Sequence, residues 1–296
     1  MALVNLNFES KYLRCNNDVT IILPDKPRNC APEAFYTSGR KYKVLYLLHG
    51  TFGDHTDWYR HTNIELYACE KDLIVVMPSA INTNYQNWPG FGTGYYLYDY
   101  ILKELMPLVT NWFPASPARE DTFIAGLSMG ARGAMKLALE NPERFGGVAA
   151  LSAFPHDYTK DREYFEQAMA RGEVGSGGDF AGPFDPDFRA ARFRNDILNN
   201  GGTIEKYIER VNPIKYVDAY ARGPQQMKIY CACGTDDPLY PEYLDFKQHA
   251  AMVGLNATFV EEAGYKHEWR FWDKYIEKAL EFFGMIGETG GKEILG

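Results

Sequence analysis

The chain offers little thiol chemistry. It has five cysteines, an odd number without regular spacing, which is not the pattern of a disulfide framework. Cys231 and Cys233 form a CxC pair in a strand-like run, but no second pair matches them, and zinc sites need one. Reduced thiols, a cytoplasmic location and no metal are the resulting expectations. No run of about 18 apolar residues occurs, so no membrane-spanning helix is expected. The opening MALVNLN has neither a basic segment nor an apolar one, so no secretory signal is expected either. Positive charge is in deficit: 31 Lys and Arg face 39 Asp and Glu, a formal charge of −8. Nucleic-acid binding needs clustered cations, and this balance argues against it. Internal repeats and low-complexity tracts are absent.

What is present is ordinary globular material. Hydrophobic residues make up 46% and charged residues 24% of 296, ample for a sizeable core without a metal or disulfide staple. Residues 18–23 (DVTIIL) read as a strand, with 3–10 as its antiparallel neighbour, and 24–40 read as a loop. Four continuous apolar runs follow at 44–48, 73–77, 122–125 and 147–151. Runs that do not alternate suit strands buried on both faces of a parallel sheet. Helical periods separate or follow them at 98–112, 131–139 and 272–283, and two more strands fit 227–231 and 257–260. Alternating strands and helices predict one α/β domain over residues 1–296, a mostly parallel sheet with helices on both faces. Residues 155–225 break the rhythm and predict a cap-like helical and loop insertion, with the Gly-rich run 172–179 as a loop within it.

The strongest chemical signal is Gly126-Leu-Ser128-Met-Gly130, a G-x-S-x-G between a predicted strand and a predicted helix. A sharp strand–turn–helix lifts a serine hydroxyl off the sheet, and the turn is tight enough that small residues must flank it two positions away. Serine is a weak nucleophile and needs a base and an orienting acid. In doubly wound hydrolases the chain order is Ser, acid, His. Of the six histidines, His267 alone follows the last predicted strand, which makes it the candidate base. The predicted strand ending in Gly234-Thr-Asp236-Asp237 supplies the acid. Spacing does not choose between Asp236 and Asp237; the one not used is expected to cap the following turn. Glu261, Glu262 and Glu268 lie too close to His267 in sequence to reach its far nitrogen without strain.

An oxyanion needs two N–H donors. One is expected from Met129, after the serine. The other is expected from the Gly-rich loop after the first central strand, with Thr51 first and Phe52 second. His49 reads as a residue that fixes this loop, and Asp54, His55, Asp57 and His61 as solvated loop residues rather than metal ligands. The aromatic candidates for substrate contact are Phe52, Trp58 and Trp88, the last within the Tyr- and Gly-rich stretch 85–96.

With these residues in hand, the sequence resembles the esterase D-like branch of the α/β hydrolases. That group includes tributyrin esterases, S-formylglutathione hydrolases, feruloyl and acetylxylan esterases, and mycolyltransferase antigens. The likeness runs through LLHG at 47–50 with Trp58 after it, YDYILKEL at 98–105, GLSMGARGA at 126–134, NPERF at 141–145, CGTDD at 233–237 and KHEW at 266–269. The resemblance implies the α/β-hydrolase fold and favours Asp237 as the acid, with Thr51 and Met129 as oxyanion donors. Where S-formylglutathione hydrolases carry Ser-Gly-Leu-Thr-Cys this chain has His49-Gly-Thr-Phe-Gly, which counts against that substrate. The expected activity is a serine carboxylesterase acting on short-chain acyl or small aryl esters through an acyl-enzyme, with no cofactor. A feruloyl or acetylxylan esterase acting on cell-wall saccharides, an acyltransferase, and a non-catalytic hydrolase-fold binding protein are the alternatives. The expected partner is a small-molecule or oligosaccharide ester, and self-association into a homo-oligomer is left open.

Overall fold

The computed structural model describes residues 1–171, 182–224 and 226–287. The apolar runs that head the sequence pattern become the centre of its sheet. In chain order the strands are β1 (Ala2–Ser10), β2 (Cys15–Leu23), β3 (Lys43–Leu48), β4 (Leu73–Pro78), β5 (Asn87–Trp88), β6 (Tyr95–Tyr96), β7 (Thr122–Leu127), β8 (Gly147–Leu151), β9 (Lys228–Gly234) and β10 (Thr258–Glu262). Eight of them form one sheet in the order β1-β2-β4-β3-β7-β8-β9-β10, and β5 and β6 form a small hairpin. From β4 to β10 every pairing in the large sheet is parallel. The antiparallel β1–β2 pair, from Ala2 opposite Leu23 to Ser10 opposite Cys15, closes one edge. This is the α/β-hydrolase architecture.

Burial on both faces explains why the central strands carry no polar alternation. In β3, Val44, Tyr46 and Leu48 pack into one apolar cluster and Leu45 and Leu47 into the other, the period of two that a pleated strand imposes. Helix Met129–Glu140 packs on the first face and helix Trp269–Phe282 on the second.

Two local expectations change. The stretch 24–40 contains a short helix, Pro32–Tyr36, with none of its residues buried. The helix expected at 98–112 is three segments: Leu97–Tyr100, a π turn Ile101–Leu105, and Met106–Trp112. Pro107 lacks the N–H that would bond to the Lys103 carbonyl, and the Met106 N–H bonds back to Ile101 instead, widening the turn.

Between β8 and β9 the described chain forms helices Arg162–Ala170, Pro186–Asn199, Ile204–Val211 and Pro213–Ala221. The first three share their own apolar cluster, centred on Phe165, Phe193 and Tyr207. The Gly-rich run 172–179 lies outside the described residues. Among the described residues no helix is long and apolar enough to cross a membrane.

Candidate active site

The turn at Ser128 is tight for a steric reason. Ser128 joins β7 to helix Met129–Glu140 with φ 52° and ψ −121°, a conformation that costs a non-glycine residue about 1–3 kcal/mol. A β-carbon on Gly126 would lie 2.4 Å from the carbonyl of Gly130, and one on Gly130 would lie 2.4 Å from the Leu48 oxygen. No side chain fits at either position. The Ser128 N–H donates to the Leu151 oxygen at 2.9 Å, fixing the turn to β8. Its hydroxyl does not cap the helix it precedes and is left facing a cleft.

The expected acid and base lie on adjacent loops after β9 and β10. The Thr235 N–H donates to the Glu262 oxygen at 3.0 Å and the Asp236 N–H to the Tyr265 oxygen at 3.1 Å, so the two loops are stitched together by backbone. Asp237 is buried and Asp236 is exposed. The Nδ1–H of His267 donates to Asp237 Oδ2 at 2.9 Å, which leaves Nε2 as the free nitrogen. The other Asp237 oxygen accepts the Leu239 N–H at 2.8 Å. One residue therefore holds the imidazole and also caps the turn, where the sequence reading divided those tasks between two. Trp272 and Phe184 set their rings edge-on to the imidazole, at 4.9 and 5.0 Å between centroids. The Trp272 indole N–H donates to Ser152 Oγ at 3.0 Å. Glu261, Glu262 and Glu268 are engaged elsewhere, with Tyr240, Lys274 and the Lys266 N–H respectively.

The loop after β3 lies against Ser128: a β-carbon on Gly50 would sit 3.4 Å from Ser128 Cβ. His49 anchors it. Its Nε2 accepts the Ala80 N–H at 2.9 Å, so its proton sits on Nδ1 and is donated to the Gly50 oxygen at 2.7 Å. Burial pulls the pKa of this ring down to about 4, so it stays neutral. The Phe52 N–H is already used, donating to Asn82 Oδ1 at 3.0 Å from a backbone with φ 67°. The Thr51 N–H has no hydrogen-bond partner among the described residues, and the Met129 N–H lies in the first helical turn, where no intrahelical acceptor exists.

The three aromatic candidates separate. Trp58 is not in the cleft. It is 1% exposed, donates its indole N–H to the Leu48 oxygen at 3.0 Å and packs edge-on to Trp269; it is core, a correction to its expected role in substrate contact. Trp88 is also buried and donates its N–H to Asp196 Oδ1 at 2.7 Å, so its polar end is committed inside the protein. Phe52 is 55% exposed and leans on Phe188 of helix Pro186–Asn199 at 4.7 Å. Of the expected loop residues, His55 shares a hydrogen bond with Thr20 Oγ1 and His61 stacks on Trp269.

The cleft at Ser128 is narrow, and part of it is open to solvent. Thr51, Met129, Leu239 and Phe184 line it, together with three arginines that the sequence reading did not single out: Arg132, Arg189 and Arg192. Arg132 pairs with Glu242. Arg192 donates from Nη1 to Thr51 Oγ1 at 3.2 Å, tying helix Pro186–Asn199 to the loop after β3; burial, then the nearby Arg132, holds its pKa below the ordinary arginine range. The signal was present in the sequence. FRAARFR at 188–194 is a basic run in an acidic chain, on an insertion without strand pattern to anchor it.

A family profile described as "Putative esterase" matches residues 10–283. The chain belongs to this esterase family. It is 29% identical over 97% of its length to the whole of an acetyl esterase from Caldicellulosiruptor saccharolyticus. Its structure resembles that of FphF, a fluorophosphonate-binding serine hydrolase of Staphylococcus aureus, with a TM-score of 0.73 and 29% identity over 95% of this chain and 98% of that one. The S-formylglutathione hydrolase FrmB of the same organism is alike at a TM-score of 0.72 and 29% identity, again over 95% and 98%. This esterase is thus a serine carboxylic ester hydrolase, and the non-catalytic reading falls away.

Proposed function

We propose that Ser128, His267 and Asp237 form the catalytic triad of this esterase and that it removes short acyl groups, acetyl foremost. The observation that carries the reading is the 2.9 Å bond from His267 to the buried Asp237 carboxylate, with the imidazole ring against Phe184, itself a wall of the cleft that holds Ser128.

Nε2 of His267 takes the hydroxyl proton as Ser128 Oγ attacks the ester carbonyl. Asp237 keeps the proton on Nδ1 and stabilises the imidazolium that forms. The tetrahedral oxyanion is held by the Thr51 and Met129 N–H groups, each worth about 3 kcal/mol of barrier. The imidazolium then protonates the departing alcohol. Water, activated by the same nitrogen, releases the acid and restores Ser128. In this structure the Ser128 hydroxyl makes no hydrogen bond to His267; such contacts often tighten only when substrate fills the site.

The cleft leaves room for little more than a small group beside Ser128, which supports a short acyl group. The acetyl esterase relative supports the same reading. With Trp58 and Trp88 committed to the interior, no observation favours a feruloyl ring over acetyl. A cytoplasmic location suits Cys231 and Cys233, which are buried in β9 with thiols that burial pushes up.

The test is Ser128→Ala assayed with p-nitrophenyl acetate and p-nitrophenyl decanoate. The wild type is expected to prefer acetate at least tenfold in kcat/KM, and the variant to lose turnover with Tm unchanged or raised. Turnover retained by pure, folded variant overturns the assignment.

A further inference from the structure

The cleft beside Ser128 is positive in a protein of net negative charge. Three of its wall residues are arginines, and no Asp or Glu lines it among the described residues. Among the described residues, the hydrogen-bonding capacity of two of them is largely unspent. A guanidinium has five donors. Arg189 uses none of its side-chain donors on any described residue, and Arg192 uses one, on Thr51. The Arg192 Nε–H is buried without a partner. The carboxylate closest in effect to Arg192 is Asp196, but its two oxygens are taken by Asn84 Nδ2 and Trp88 Nε1. Burial also pushes Asp196 up to about 7, so its charge is incomplete at neutral pH. Arg132 is neutralised by Glu242; Arg189 and Arg192 have no such ion pair among the described residues.

Arg192 is also held in place. Its guanidinium lies 5.5 Å from the centre of the Phe193 ring and 6.0 Å from that of Phe188, and its Nη1 is tied to the loop that carries the Thr51 N–H. Bringing like charges together next to a nucleophile is costly, and the cost is recovered when an anion enters.

The geometry points to an anion subsite formed by Arg189 and Arg192, so that the preferred substrates of this esterase carry a carboxylate a few atoms from the ester carbonyl. This rests on the assignment of Ser128 as nucleophile. A guanidinium recognises carboxylate in a two-pronged fashion, and the short distance from Thr51 to Arg192 places that anion beside the oxyanion loop. A neutral acyl ester would leave both guanidinium groups without an anionic partner in the cleft, the situation that disfavours a wrong substrate most strongly.

The experiment is a pH-stat assay on matched pairs. On the acyl side, monomethyl succinate is compared with methyl butyrate; on the alcohol side, acetoxyacetate with ethyl acetate. Wild-type enzyme is expected to favour the anionic member of at least one pair by tenfold or more in kcat/KM, and the pair that shows it locates the charge. Arg189→Gln and Arg192→Gln are each expected to reduce that anionic-to-neutral ratio at least tenfold. Succinate is expected to inhibit hydrolysis of p-nitrophenyl acetate competitively, with an inhibition constant raised at least tenfold in the same variants. If Arg192→Gln does not fold, Arg189→Gln carries the test, since its side chain bonds to no described residue. Ser128-dependent turnover without anionic preference, or a ratio unmoved by both substitutions, overturns the subsite and leaves the esterase reading standing. Loss of all Ser128 dependence overturns the esterase reading instead.

Discussion

Asp237 divides its two carboxylate oxygens between the ring of His267, at 2.9 Å, and the backbone N–H of Leu239, at 2.8 Å. Because the second bond anchors the carboxylate to its own turn, the first can hold the imidazole in one tautomer and one orientation. Replacing the carboxylate with an amide of the same shape would let an N–H face Nδ1 and reverse that tautomer.

Asp237→Asn is accordingly expected to lower kcat by about 10³–10⁴-fold, the range seen when a triad acid becomes an amide. Asp236→Asn, at the exposed neighbour, is expected to stay within threefold of wild type. Steady-state kinetics on p-nitrophenyl acetate check both; the reverse ranking would move the acid by one position.

The elbow makes a stability prediction. A β-carbon at Gly130 meets backbone atoms of Leu48 and His49 at 2.4 and 2.6 Å, and backbone cannot swing aside as a side chain can. Gly130→Ala is expected to cost about 3 kcal/mol or prevent folding. Gly223→Ala, whose β-carbon would meet its nearest neighbour at 3.4 Å, is expected to stay within about 0.5 kcal/mol. Urea denaturation of the two variants gives the comparison.

Much of this arrangement was legible in the sequence, because its causes are local. Continuous apolar runs such as 73–77 follow from burial on both faces, and the glycines two positions either side of Ser128 follow from the turn's own crowding. The place of His267, on the loop after the last strand and bonded to an aspartate that follows β9, accords with chain order. What was not readable depended on contacts distant in sequence. Trp58 looked like a substrate contact, but its indole is spoken for by the Leu48 carbonyl. The choice between adjacent aspartates needed the backbone bonds from Thr235 and Asp236 to the His267 loop to decide which side chain turns inward. Arg189 and Arg192 were hidden because the insertion has its own small core, and no periodicity ties it to the sheet.

Trp58 gives a prediction that separates core from site. Trp58→Phe keeps most of the apolar volume but leaves the buried Leu48 oxygen without its donor, which is expected to cost about 1–3 kcal/mol. KM for p-nitrophenyl acetate should stay within twofold. A large rise in KM at unchanged Tm would return Trp58 to the substrate.

His49 predicts a pH dependence of stability. Its folded pKa, about 4, lies below the ordinary value near 6.5 of an unfolded chain. Between those values the unfolded state binds more protons, so the contribution is complete above pH 6.5 and is lost as pH falls towards 4, by about 3 kcal/mol. Asp196, raised to about 7, works in the opposite direction. The difference in unfolding free energy between wild type and His49→Gln isolates the histidine: it is expected to shrink by that amount from pH 7 to pH 4, and a constant difference would mean that the ring is not held neutral.

In the proposed mechanism the Ser128 hydroxyl is the nucleophile and His267 activates it. Reaction with a fluorophosphonate, followed by peptide mass mapping and labelling rates, tests this directly. One adduct is expected, on Ser128, absent in Ser128→Ala and formed at least a hundredfold more slowly in folded His267→Ala. An adduct on another residue, or labelling of Ser128 at an undiminished rate without the imidazole, would contradict it.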